Sequence, residues 1–165
     1  ADDRWVPTDH SDSNERMVKQ ALLVNKAASA DFISLVQHYP SETDNLKFLS
    51  TTLSQLSTFS LVILGMGNDM HTASLFPCSP EIHEGLTTKS PVLMTHPSTA
   101  PHTRVSLSME RLHQTRRGVI HIVGDDKRTV LENARRTRPL ERAPVSAFLK
   151  TPGAFEVWWA QQTEG

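Results

Sequence analysis

Apolar residues recur along the chain in two rhythms, short unbroken runs and a helical spacing. Their alternation predicts strands interleaved with helices. The clearest run is Leu61-Val62-Ile63-Leu64, rich in branched side chains and read as a fully buried strand. Gly118 to Gly124 reads GVIHIVG, a second buried strand closed by a glycine, in which His121 is expected to be a hydrogen-bonded core residue. Val92 to Thr95 and Phe155 to Trp159 are further strands. Arg104 to Leu107 alternates polar with apolar, as a half-buried strand does. Trp5-Val6-Pro7 ends a strand, because proline cannot continue in a central ladder.

Helical spacing appears where polar caps precede it. Asp12 and Glu15 have capping-box spacing before a helix whose apolar side carries Met17, Ala21, Val24 and Ala28. Ser41 and Asp44 repeat the device before Leu46, Leu49, Leu53 and Leu56. Both helices are expected to pack against a sheet. Met109 to Thr115 reads as a short helix, and Asp125 or Asp126 is expected to cap another with Val130, Leu131 and Ala134 facing inward. Cys78 to Ser90 and His96 to His102 hold prolines and read as loops. Ala143 to Leu149 is apolar without a period that selects helix or strand. This order predicts an α/β fold: a three-layer, Rossmann-like, mostly parallel sheet with helices on both faces, in one domain spanning residues 1–165.

Composition narrows the function classes. A length of 165 residues suits one domain with a sizeable core. The formal net charge of -1 points to neither a nucleic-acid nor an anionic-membrane partner, so an anion site would be a local cluster of basic groups. A lone cysteine, Cys78, excludes an internal disulfide framework and fits a reducing compartment. No apolar run approaches the roughly 18 residues of a membrane span, and no signal peptide opens the chain. The expectation is a soluble cytoplasmic protein.

Chemistry concentrates after the first buried strand, where Gly65 and Gly67 open a loop carrying Asp69 and His71. Thr72, Ala73 and Ser74 are then placed to begin a short helix. A strand running into a glycine loop is the usual place for a site in an open α/β sheet. Asp69 can orient the His71 imidazole as a general base; the competing reading is a plain turn with a surface histidine. Lys127 stands in the first turn of a predicted helix, where a cation opposes the helix dipole unless an anion shares the corner. Its competing reading is a solvated lysine. Arg104 either binds an anion or pairs with a carboxylate, and His102 nearby is a candidate pocket residue. The histidines show no metal-ligand spacing.

The segment GMGNDMHTASLFP resembles the signature of the 6-phosphogluconolactonases, G-M-G-x-D-G-H-T-A-S-L-F-P. Three further stretches agree in order: DDRWVPTDHSDSN, PHTRVSLS and VGDDKRTVLENA. The resemblance covers most of the chain. It implies hydrolysis of a sugar-phosphate lactone without metal or organic cofactor. His71 would be the catalytic acid/base, oriented by Asp69, and Lys127 a phosphate ligand. Arg4 matches an arginine near the substrate, and Asp2 an acid/base aspartate of the glucosamine-6-phosphate deaminases, which share the fold. Backbone N–H groups of Gly67 and Asn68 are candidate oxyanion donors. The deaminase pattern has a glutamate where this chain has Phe76, which favours the lactonase branch. A sugar-phosphate isomerase or deaminase, and a non-catalytic sugar-phosphate-binding module, are the alternatives.

Two departures stand out. Met70 replaces the family glycine, at a cost of about 1–2 kcal/mol if the position needs a positive φ. Cys78 replaces another common glycine. The chain also opens on a motif internal to the family. The expectation is therefore a chain, fragment or naturally truncated, that lacks an N-terminal strand–helix region with a phosphate-contacting glycine- and serine-rich loop.

Overall fold

Strand direction follows from connection length. Only His96 to Thr103 separates β3 (Val92–Thr95) from β4 (Arg104–Leu107). A parallel crossover needs about a dozen residues or more, so the two strands turn back on each other. They pair antiparallel, Val92 opposite Leu107 and Thr95 opposite Arg104. On the other edge of β4 lies β1 (Asp2–Arg4), also antiparallel, with Asp2 opposite Ser106 and Arg4 opposite Arg104. Its central place buries all four residues of β4, not the alternate ones expected from its pattern.

The remaining strands form a second sheet. β2 (Val62–Leu64), β5 (Gly118–Val123) and β6 (Phe155–Ala160) run parallel in the order β2-β5-β6. The computed structural model describes residues 1–150 and 155–162. Within them the fold is mixed α/β, but two three-stranded sheets, one antiparallel, stand in place of one mostly parallel sheet. Among the described residues no helix is long and apolar enough to cross a membrane.

Helix α2 (Glu42–Ser54) follows its sequence closely. Ser41 caps it, accepting the Asp44 N–H at 3.3 Å, and Leu49 and Leu53 are buried on the side that meets β3. Fully burying a leucine contributes about 1.5–3 kcal/mol, which is what holds this helix down. Leu56 falls beyond the helix end and is exposed.

Helix α1 (Asn14–Ala21) departs from expectation. Its cap is Ser13, not Asp12, and the buried Asp3 carboxylate accepts the N–H groups of Asn14 at 2.7 Å and Glu15 at 2.9 Å. A carboxylate reaching in from β1 satisfies the helix N-terminus and complements its dipole. The face expected to pack inward does not: Met17, Ala21, Val24 and Ala28 are exposed, and Glu15 is the buried residue of the helix. Anchoring at Asp3 sets the roll of the helix and overrides its apolar stripe.

Other local expectations change for similar reasons. Thr72 to Ser74 start no helix; Ala73 has φ 48° and Thr72 bridges to Leu75. Inside the stretch read as loop, α3 (Ile82–Thr87) buries Ile82 and Leu86, with Pro80 before it, where proline does no harm. Met109–His113 forms α4 as expected, and Pro144–Leu149 is a buried 3-10 helix. Helix α5 (Asp125–Arg136) begins at Gly124, whose φ of 94° suits glycine, so Asp125 and Asp126 occupy the first turn without capping it. Leu131 and Ala134 face inward as read.

The parallel sheet is not buried on both faces. Ile63 is 59% exposed, and Leu61, His121, Val123 and Trp158 are also exposed, although the run 61–64 and His121 were expected inside. Val62, Leu64, Ile120 and Ile122, on the alternate positions, are buried.

Two outcomes follow for stability. Met70 has φ 69° and packs partly against the core. Met70→Ala loses packing and keeps the strain, whereas Met70→Gly loses packing and strain together. Glycine should therefore exceed alanine by about 1 kcal/mol in urea unfolding, the reverse of the usual order; alanine at or above glycine would show an unstrained loop. Replacing Ile63 by lysine should change stability by no more than about 0.5 kcal/mol while reducing self-association measured by light scattering. A large stability loss would mean that Ile63 is packed.

Candidate active site

The loop leaving β2 is shaped by what glycine lacks. A Cβ on Gly67 would lie 2.1 Å from His71 Nδ1 and 2.5 Å from Asp69 Oδ1. Only glycine lets the imidazole and the carboxylate close over the loop backbone. The closure is stitched by two backbone hydrogen bonds, Gly67 N–H to the His71 carbonyl and Met70 N–H to the Gly67 carbonyl, each 3.0 Å. The Gly67 N–H is therefore already committed, which removes it as the free oxyanion donor expected from the sequence.

Asp69 and His71 form a close pair: His71 Nδ1 lies 2.5 Å from Asp69 Oδ1, and the His71 N–H donates to the same oxygen at 3.2 Å. Burial pushes the Asp69 carboxyl up, but the hydrogen bond and charge of His71 outweigh it and hold the group below its ordinary value. An ionised carboxylate on Nδ1 fixes the tautomer and leaves Nε2 to exchange a proton. The imidazole also stacks on the buried Phe76 ring, 4.1 Å between centroids at 28°.

His71 and Gly67 line a cleft of about 390 Å³ together with Asp2, Arg4, Arg104, Asn14 and Phe76. The two arginines face each other in register across β1 and β4. Arg104 is buried; its Nη2 donates to the Pro101 carbonyl at 3.0 Å, and its Nε has no partner among the described residues. Burial and then the Arg4 charge push Arg104 below the usual arginine range. Opposed like charges destabilise a strand pair unless something negative sits between them. Asp2 supplies part of that charge, its Oδ2 accepting from the buried Ser74 hydroxyl at 2.7 Å. Arg4 donates to the Asn14 side-chain oxygen, and Asn14 donates to the Asp2 carbonyl at 3.0 Å.

Lys127 and Asn68 lie elsewhere, lining a second cleft of about 350 Å³ with Gly124 and Asp126. Lys127 Nζ donates to the Met66 carbonyl at 2.8 Å, so it braces the same glycine loop while keeping two further protons to donate. The clefts share that loop: Gly67 lines the first and Asn68 the second. His102 lines neither; it is exposed and pairs with Asp12 at 2.8 Å, a bond that holds the Asp12 carboxyl below its ordinary value. Among the described residues no group of three or more His, Cys, Asp and Glu side chains is arranged to hold a metal ion. Sequence reasoning gave no role to Asn14 or Ser74, whose partners lie 10 and 72 residues away. Both stand inside stretches that resemble the family, Ser74 in the signature itself, but local spacing gives neither a partner.

Comparison with known proteins bears out the family resemblance. Residues 1–159 match the family described as Glucosamine-6-phosphate isomerases/6-phosphogluconolactonase. A 6-phosphogluconolactonase of Neisseria meningitidis is 35% identical over 157 residues, covering 93% of this chain and 68% of that protein. The crystal structure of a 6-phosphogluconolactonase from Shewanella baltica superposes with a TM-score of 0.92 at 36% identity, covering 98% of this chain and 70% of that one. A monomeric glucosamine-6-phosphate deaminase shares the fold alone, with a TM-score of 0.77 at 14% identity over 98% of this chain and 70% of its own. With nearly its whole length matched, the chain belongs to the glucosamine-6-phosphate isomerase/6-phosphogluconolactonase family.

Proposed function

We propose that the chain hydrolyses 6-phosphogluconolactone to 6-phosphogluconate, the lactone-opening step of the pentose phosphate pathway. The observation that carries this is His71, held at Nδ1 by Asp69, on a cleft whose other walls bring Arg4, Arg104 and Asp2. Water attacks the lactone carbonyl carbon, and His71 Nε2 accepts its proton. The same nitrogen returns a proton to the ring oxygen as the C–O bond breaks. Asp69 stabilises the imidazolium formed between the two steps.

The developing oxyanion needs donors that are already in place. Arg4 and Arg104 meet that need on the first cleft, where they stand opposite each other on paired strands. Lys127, with Asn68 and the first turn of α5, supports phosphate binding on the second cleft. A substrate laid across the shared glycine loop would then have its reacting carbon at one cleft and its phosphate at the other. Asp2, anchored by Ser74, stands beside the arginines as a further acid/base candidate. The isomerase or deaminase reading is weakened by Phe76, which offers no carboxylate beside His71.

Replacing His71 by alanine should reduce lactone hydrolysis by roughly 10²–10⁴-fold with the circular dichroism spectrum unchanged. Parental activity in that variant excludes His71 as the base. Lys127→Ala should weaken binding of the phosphorylated lactone by roughly 10- to 100-fold and leave an unphosphorylated lactone nearly unaffected. Equal losses for both substrates would show that Lys127 is not the phosphate ligand.

A further inference from the structure

We propose that Phe76 is a positioning residue for His71, fixing the plane of the imidazole and stabilising the imidazolium that the ring becomes on accepting a proton. The inference rests on the reading of His71 as the proton-transferring group and adds to it a second restraint besides Asp69.

The geometry makes the case. Asp69 holds the imidazole at one nitrogen only, and one hydrogen bond leaves the ring free to rotate about that contact. Stacking at 4.1 Å and 28° removes that freedom. Phe76 is itself buried, only 4% exposed, so its neighbours hold it in place. The face of a phenyl ring carries negative potential, so it attracts a cation and gains nothing from a neutral imidazole by the same route. The contact therefore strengthens when His71 is protonated, which is when the proton has left water.

The same ring also meets Arg104, whose guanidinium carbon lies 5.7 Å from its centroid. Phe76 is thus the shared surface on which a permanent cation and an intermittent one rest. The other charged groups around His71 are Asp69 in its own loop and Asp2 and Arg4 on β1, which line the same cleft with Arg104. Lys127 reaches the loop from α5 through the Met66 carbonyl. Asp69 and Asp2 favour the imidazolium, whereas Arg4, Arg104 and Lys127 oppose it.

Phe76→Leu keeps most of the apolar volume and removes the π face; Phe76→Tyr keeps the face. In the whole chain, the midpoint of the His71 ring-proton NMR titration should fall by roughly half a pH unit in Phe76→Leu and return in Phe76→Tyr. The acid limb of the kcat/KM profile should move the same way, with kcat down about two- to fivefold and KM within about twofold. If Phe76→Leu is too unstable to assay, Phe76→Met gives the same comparison. An unchanged or raised midpoint in the leucine or methionine variant, or a tyrosine variant that behaves like leucine, overturns the proposal. The titration needs no lactone. Failure of the parent chain to hydrolyse lactone would count against the function proposed above, while the titration alone decides Phe76.

Discussion

Ser74 is completely buried and every polar group it carries is taken up by one sheet. Its N–H donates to Ser106 Oγ on β4 at 3.1 Å, its hydroxyl to Asp2 on β1 at 2.7 Å, and its carbonyl accepts from Thr95 on β3 at 3.0 Å. Yet Ser74 belongs to the loop that leaves β2 in the other sheet. Three bonds to three strands tie the two sheets together at one residue. Buried polar groups left unpaired cost about 1–3 kcal/mol each, so this junction is held in one arrangement or lost. The neighbouring Leu75 and Phe76, both buried, complete it with apolar contact.

The cleft exists because of that junction. One wall, Gly67 and His71, comes from the loop after the parallel sheet; the other, Asp2, Arg4 and Arg104, comes from the antiparallel one. Its electrostatics are uneven. Two arginines face each other across adjacent strands with one aspartate beside them, so the wall opposite His71 is short of negative charge. Against this the Asp69–His71 pair is nearly self-contained. An anionic or charge-developing substrate completes the arginine wall without disturbing the Asp69–His71 pair, which suits a reaction whose intermediate is an oxyanion.

Elsewhere the chain tolerates what globular economy disfavours. A parallel strand is ordinarily covered on both faces, whereas Leu61, Ile63, Val123 and Trp158 are exposed. Helix α1 turns Met17 outward because Asp3 anchors its first turn and Lys19 reaches back to Glu15 at 2.5 Å. In both places a fixed point decides orientation, pairing with β5 in one and a buried cap in the other, and apolar residues accept the consequence.

What could be read directly was whatever depends on near neighbours along the chain. The Ser41 cap on α2, the strands at Val92 to Thr95 and Phe155 to Trp159, and the glycine loop bearing Asp69 and His71 all follow from spacings of a few residues. The loop position of Met70 was equally legible as one open to a positive φ, because Met70 stands where the family has glycine, and its φ is 69°. Tertiary structure alone decided the rest. Asp3 rather than Asp12 governs α1, Gly124 rather than Asp125 begins α5, and the Gly67 N–H is taken by His71. Arg4 meets Arg104, and Phe76 meets both Arg104 and His71. Cap spacing and hydrophobic period are short-range constraints written within one turn or one strand. Which carboxylate reaches a helix end, and which face of a strand meets solvent, depend on contacts that form only once distant segments have been brought together.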